Sequence, residues 1–181
     1  THTLQVFYTS MVTPPSVGDY DLDRRELTLL KQTEVRGGYD PADYVQELEW
    51  AVAPDGARVP VSVVRRATTP VDGTAPAVLY GYGAYGASTD PWFSVARLSW
   101  LDRGVVFAIA HVRGGDELGR PWYDDGRLLK KQHTFGDFVA AGSLLVEKGY
   151  AHPDRLGGKG GSAGGLLIGA VANQAPSVFR A

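Results

Sequence analysis

Gly160-Gly161-Ser162-Ala163-Gly164-Gly165 is the stretch on which the fold reading turns. Its first five residues fit G-x-S-x-G, the pattern of a nucleophile elbow, where a strand breaks sharply into a helix and the turn residue is held strained with its hydroxyl exposed. The glycines have a steric reason, because a Cβ two residues to either side of the serine would collide across the turn. The residues downstream fit the helix: Leu166, Leu167, Ile168, Ala170, Val171 and Ala172 are core material, and Pro176 is a stop signal. With the helix starting at Ser162, its N-terminal N–H groups and dipole point where an oxyanion would form. The bland alternative is a Gly-rich loop placed for flexibility. The strand feeding the elbow, Arg155-Leu156-Gly157-Gly158-Lys159-Gly160, speaks for that alternative, since it carries a lysine where a β-branched residue is expected.

The surroundings favour the elbow. Upstream, Thr134 to Lys148 reads as a helix burying Phe135, Phe138, Val139, Leu145 and Val146 and ending at Gly149. Val105 to Ala110 is a buried strand. Pro91 to Leu101 reads as a helix, with Asp90 as N-cap and Gly104 as stop. Ala77 to Tyr80 is an apolar strand. Strand, helix, strand, helix, strand, elbow, helix is the rhythm of a mostly parallel α/β sheet with flanking helices. Before it, Val45–Ala53 and Ala57–Arg66 flank Pro54-Asp55-Gly56 as a hairpin, with Val59, Val61 and Val63 alternating. That hairpin suits the antiparallel edge of the sheet. Three short strands are expected at the start, Leu4–Tyr8, Asp19–Leu22 and Glu26–Leu30, broken by Thr13-Pro14-Pro15-Ser16 and Asp23-Arg24-Arg25. Three such strands need a partner surface to be stable in water, so this segment reads as the end of something larger.

Composition narrows the classes. An apolar fraction of 44% supports a core, and a net charge of -2 gives no electrostatic reason to expect nucleic acid. With no cysteine, a disulfide framework and a thiolate zinc site are excluded, and the cytosol is the expected compartment. No apolar run approaches a membrane span, and no repeat supports a solenoid.

Several motifs are set aside on context. Gly81-x-Gly83-x-x-Gly86 matches the dinucleotide fingerprint and follows a strand, but Ala87-Ser88-Thr89-Asp90-Pro91 intervenes before any helix and two tyrosines crowd the phosphate approach. The tyrosines themselves are better candidates to line a site. Lys159 lacks the following Ser or Thr of a P-loop. His111 could serve as a base but reads as structural at a strand end, and Arg113 reads as a loop pin through its fork of donors. Asp116 and Glu117 lack a clustered histidine, so no metal and no cofactor is expected; they read as a solvated acidic turn, and Arg127 to Lys131 as a solvated basic face. In this fold the triad runs Ser, Asp or Glu, then His. After Ser162 there is neither an acidic residue nor a histidine, and His2, His111, His133 and His152 all precede it. The expectation is a chain that stops before its other two triad members.

Taken together, Leu79 to Ser88, His111-Val112-Arg113-Gly114-Gly115, Glu117-Leu118-Gly119, Trp122-Tyr123, Lys130 through Asp137 and Gly160 to Gly165 resemble the prolyl oligopeptidase family of serine peptidases. Tyr85-Gly86-Ala87-Ser88 and Lys130-Lys131 resemble its oligopeptidase B branch. The resemblance implies a β-propeller joined to an α/β-hydrolase domain, with residues 1–37 the last propeller strands and 38–181 the first part of the hydrolase domain. It implies Ser162 as nucleophile, the Ala163 N–H and the Tyr82 phenol as oxyanion donors, and Tyr85 as an aromatic near the substrate pocket. Short peptides cleaved after Arg or Lys are the implied substrates, with the selecting acidic residues, the triad Asp and the triad His in the rest of the polypeptide. An esterase or acyl-aminoacyl peptidase of the same fold, or an inactive hydrolase-like binding module, are the rival readings. Asp116 and His133 depart from the family wording, which has Gly and Asn there.

Overall fold

The computed structural model describes residues 2–181. Two sheets are present. β1 (Thr3–Tyr8), β2 (Ser16–Asp21) and β3 (Glu26–Gln32) form an antiparallel meander. The second strand starts three residues earlier than expected, because the break ends at Pro15: the Ser16 hydroxyl donates to the Pro14 carbonyl and accepts from Gln32 Nε2. Every residue of β3 is exposed, and Leu4, Phe7, Leu27, Leu29 and Leu30 all stand more than half in solvent.

The second sheet carries the site. β4 (Tyr44–Val52) and β5 (Arg58–Arg66) are the expected hairpin, its turn closed by the Ala53 N–H on the Ala57 carbonyl and by Gly56 at φ +85°. β6 (Ala77–Tyr80), β7 (Val106–Ala110) and β8 (Leu156–Lys159) complete a sheet of order β4-β5-β7-β6-β8. The hairpin joins antiparallel to β7, whereas β6 runs parallel to both β7 and β8. The expected mixed α/β sheet with an antiparallel edge is therefore present.

Period-two alternation sorts the core into two layers. Val59, Val61, Val63, Leu79, Ala108 and Ala110 face one side, where α3 (Lys131–Glu147) and α4 (Ala163–Gln174) supply Phe135, Phe138, Leu145, Leu167 and Val171. Val64, Phe107 and Ile109 face the other, against Leu98 and Leu101 of α1 (Val95–Leu101) and against Met11 from the connection after β1. Apolar burial on both faces is what holds a parallel sheet.

Two boundaries differ from expectation. The helix α1 begins at Val95 rather than Pro91, because Ser94 and not Asp90 caps it, accepting from the Arg97 N–H at 3.3 Å. The helix α3 begins at Lys131 rather than Thr134, and α2 (Arg120–Asp124) is a short helix the pattern did not show. The polar strand β8 forms because its glycines admit close neighbours: a Cβ on Gly158 would lie 3.3 Å from Ile168 Cδ1 and 3.5 Å from Phe138 Cε1. The Gly158 N–H and the Leu156 carbonyl bond to Ala181 and Arg180 at 2.7 and 2.9 Å. No helix among the described residues is long and apolar enough to cross a membrane.

Phe138 is fully buried, stacks on Phe179 with centroids 5.2 Å apart, and fills the space that a Cβ on Gly81 would need, 2.8 Å away. Phe138→Ala is expected to cost about 3–5 kcal/mol and Gly81→Ala about 1–3 kcal/mol by overpacking, both read from urea unfolding midpoints.

Candidate active site

In the parallel ladder Tyr80 stands opposite Lys159, so the loops that follow β6 and β8 leave the sheet side by side at its carboxyl end. From there the chain diverges, toward α1 on one face and α4 on the other. Such a divergence opens a crevice where α/β sheets bind their ligands.

Ser162 sits at that point with φ 55° and ψ −119°, a backbone conformation that costs a non-glycine residue about 1–3 kcal/mol. It is the N-cap of α4, yet its side chain makes no capping hydrogen bond, and the residue is exposed. The hydroxyl is thus left free by the helix it begins. The turn closes through the Gly164 N–H on the Gly161 carbonyl and the Gly165 N–H on the Ser162 carbonyl, at 2.8 and 2.9 Å. The steric expectation for the glycines two residues to either side of the serine holds at both. A Cβ on Gly160 would lie 2.3 Å from the Gly164 carbonyl oxygen, and one on Gly164 2.7 Å from the Gly81 oxygen, whereas Gly161 and Gly165 have open space. Ala163 is the first helical residue, so its N–H precedes any intrahelical acceptor.

Tyr82 is brought to the elbow. Its Cα lies 3.6 Å from the position of a Cβ on Gly164, and the preceding Gly81 N–H donates to the Lys159 carbonyl at 3.1 Å. Ser162, Ala163 and Tyr82 therefore share one end of one strand pair. Tyr85 is 80% exposed at φ 61°, at the apex of the loop and outside this packed region. The glycines of the dinucleotide-like motif serve packing: Gly81 lies on Phe138, and Gly83, at φ +66°, lies within 2.6 Å of the Thr134 and Val112 methyls as a Cβ would measure it.

Each of the four histidines is engaged elsewhere. His2 pairs with Asp23, the His111 Nε2 meets Ser62 Oγ at 2.8 Å in the buried interior, His133 Nδ1 meets the Asp125 carbonyl, and His152 accepts from the Asp154 N–H. His111 is thus structural. The solvated reading of Glu117 is corrected: its side chain is mostly buried and accepts from the Thr89 N–H at 2.9 Å. The solvated reading of the basic run fails at one residue. Lys131 is half-buried and its Nζ donates to the Gly83 carbonyl, with burial holding its ammonium below the ordinary lysine range.

Behind the site, Arg113 acts as the expected loop pin. Its guanidinium reaches the fully buried Asp137 at 2.6 and 2.9 Å, Asp55 at 2.5 Å and Asp125 at 2.8 Å. Burial alone would lower the Arg113 pKa, but its hydrogen bonds to these three carboxylates outweigh that and raise it. Asp137 accepts from the Arg113 N–H as well, and Thr134 Oγ1 donates to the Arg113 carbonyl at 2.7 Å. Asp55, Asp125 and His133 lie within 4.8 Å of one another, the spacing of a cation site, but Arg113 and Lys130 already neutralise both carboxylates. Sequence reasoning missed these three aspartates and Lys131; the signal was the block Lys130 through Asp137 read only as a whole.

A model described as the prolyl oligopeptidase family matches residues 91–181. Over 99% of its length the chain is 50% identical to a dipeptidyl aminopeptidase BI of Pseudoxanthomonas mexicana and 42% identical to a protease 2 of Moraxella lacunata. Oligopeptidase B of Leishmania major superposes with a TM-score of 0.90 at 45% identity, again over 99% of the chain. The chain spans about a quarter of the length of these relatives, 25%, 26% and 25% respectively.

The glycine geometry sets a contrast. Gly160→Ala and Gly164→Ala are expected to lower thermal stability and distort the elbow, whereas Gly161→Ala and Gly165→Ala leave the melting temperature within a few degrees, about the shift of 1 kcal/mol or less. The Arg113 hydrogen bond, chiefly, lowers the Asp55 carboxyl from 3.8 to about 2. Its contribution to stability is whole above pH 4 or so and is lost as pH falls toward 2. Asp55→Asn is expected to flatten that part of the stability–pH curve, measured by urea midpoints from about pH 5 down to 2.

Proposed function

Because the chain belongs to the prolyl oligopeptidase family, we propose that it carries the nucleophile and oxyanion donors of a serine oligopeptidase of the oligopeptidase B kind. The observation that carries this reading is Ser162: a strained, exposed serine whose hydroxyl caps nothing, at the head of a helix and beside Tyr82. Ser162 Oγ attacks the carbonyl of a peptide bond while a histidine from the rest of the polypeptide takes its proton, oriented by an aspartate from the same part. The developing oxyanion accepts from the Ala163 N–H and the Tyr82 phenol, preorganised donors worth on the order of 3 kcal/mol each. The amine leaves with the proton, and water releases the acyl group by the reverse sequence.

In this reading residues 1–37 are the last strands of a β-propeller, which accounts for the exposed leucines of β1 and β3, and residues 38–181 are the first part of an α/β-hydrolase domain. The propeller restricts substrates to short peptides, and cleavage follows Arg or Lys through acidic residues outside this segment. Tyr85 stands near the peptide. The enzyme works in the cytoplasm without a cofactor, and this segment alone does not turn over. The 50% identity to a protein named a dipeptidyl aminopeptidase favours a second specificity, release of dipeptides from a free amino terminus. Amide substrates separate the two: blocked arginyl amides are cleaved only in the first case, free dipeptidyl amides preferentially in the second. Short esters and acylated peptides test the esterase and acyl-aminoacyl rivals, and tight binding without turnover identifies a binding module.

In the complete polypeptide, Ser162→Ala is expected to abolish covalent labelling by a serine-directed phosphonate; unchanged labelling sinks the assignment. Tyr82→Phe is expected to lower kcat about a hundredfold with little change in KM.

A further inference from the structure

The loop that carries Tyr82 holds glycines at 81, 83 and 86, and a phenol on so glycine-rich a segment needs outside restraint to stay aimed. Most of that restraint is steric and converges on the next residue, Gly83. A Cβ there would lie within 2.6 Å of the Thr134 and Val112 methyls, and the Gly83 carbonyl oxygen lies 2.2 Å from the position of a Cβ on Gly114, so only glycine fits at either place. Packing can hold this peptide in place but cannot satisfy its carbonyl. The hydrogen bond described to that oxygen comes from Lys131 Nζ. Lys131 is half-buried, and the depression of its pKa has burial as its cause, with no carboxylate pairing among the described residues. A half-buried ammonium spent on a single backbone carbonyl is an unusual use of a lysine, since both of its basic neighbours in the run, Arg127 and Lys130, pair with aspartates instead.

Resting on the reading of Tyr82 as an oxyanion donor, we propose that Lys131 is a positioning residue for it: by holding the Gly83 carbonyl, Lys131 fixes the Gly83–Ala84 peptide, one residue beyond Tyr82, and so the course of the loop and the direction in which the phenol donates. Lys131 touches neither substrate nor nucleophile. Its effect belongs in the transition state, where the donor is used, and not in ground-state binding. Because it acts through Tyr82, its contribution vanishes once the phenol is gone.

The test is a double-mutant cycle in the complete polypeptide, with kcat taken per active site titrated by phosphonate. Lys131→Met is expected to lower kcat about ten- to a hundredfold with KM within about twofold, and Lys131→Arg, which retains a donor, to recover part of the loss. In a Tyr82→Phe background, Lys131→Met is expected to cost nothing further. Should Lys131→Met fail to fold, Lys131→Gln, a neutral donor of shorter reach, goes through the same cycle. An unchanged kcat in Lys131→Met, or an equal loss with and without Tyr82, overturns the role of Lys131 alone. A Tyr82→Phe enzyme with unchanged kcat overturns the Tyr82 assignment and this proposal with it, while phosphonate labelling at Ser162 still reports on the nucleophile separately.

Discussion

The pairing of Ala77–Tyr80 with Leu156–Lys159 is the constraint on which the site depends. These are two four-residue strands, one of them half glycine, and neither would hold its place by propensity. They are adjacent because Phe138 and Leu167 pack beneath both, against the bare face of Gly81, and because Gly164 lets its backbone meet that of Gly81 where a side chain would force the two apart. In the proposed reading, a nucleophile on one loop and an oxyanion donor on the next need to agree to within a fraction of an ångström. Direct contact between main chains, with no flexible side chain between them, is the stiffest way to obtain that agreement.

Behind this contact lies an electrostatic layer. Arg113 draws Asp55 from the hairpin turn, Asp125 from the end of α2 and Asp137 from α3 onto one guanidinium. Burying one cation with one fully buried carboxylate gains little over an apolar pair of the same size, because both lose their hydration. What the arrangement does supply is a fixed junction between three segments that share no strand pairing. The loop of residues 111–115, held in this way, presses Gly114 against Gly83 and so reaches the site from behind.

Much of this was legible in the residues. The elbow pattern, the continuous apolar run of β7 and the Asp-Gly turn each follow from a local rule, and each is found where the rule put it; β5, whose alternating valines suit a half-buried strand, is instead buried on both faces from Val59 to Val64. The misses have a common character. The helix α1 reads as starting at Pro91 with Asp90 as its cap, but Ser94 takes that role four residues on. Glu117 reads as part of a solvated acidic turn and Lys131 as part of a solvated basic face. Their burial is set by partners 28 and 48 positions away along the chain, Thr89 and Gly83, and no local pattern encodes that. The β8 strand reads as poor because propensity counts what a side chain offers, whereas Gly158 works by offering none.

The backbone at Ser162 has a consequence for engineering. A positive φ is comfortable for glycine and uncomfortable for serine, so at this position foldability and the proposed reactivity pull in opposite directions. Selection for heat tolerance alone would drift toward glycine there, erasing the one hydroxyl on which the proposed function rests. A library screened on melting temperature would therefore enrich inert proteins at this residue. Any campaign to harden the scaffold has to draw its gains from elsewhere, such as the open positions at Gly161 and Gly165, where added side chains meet no neighbour.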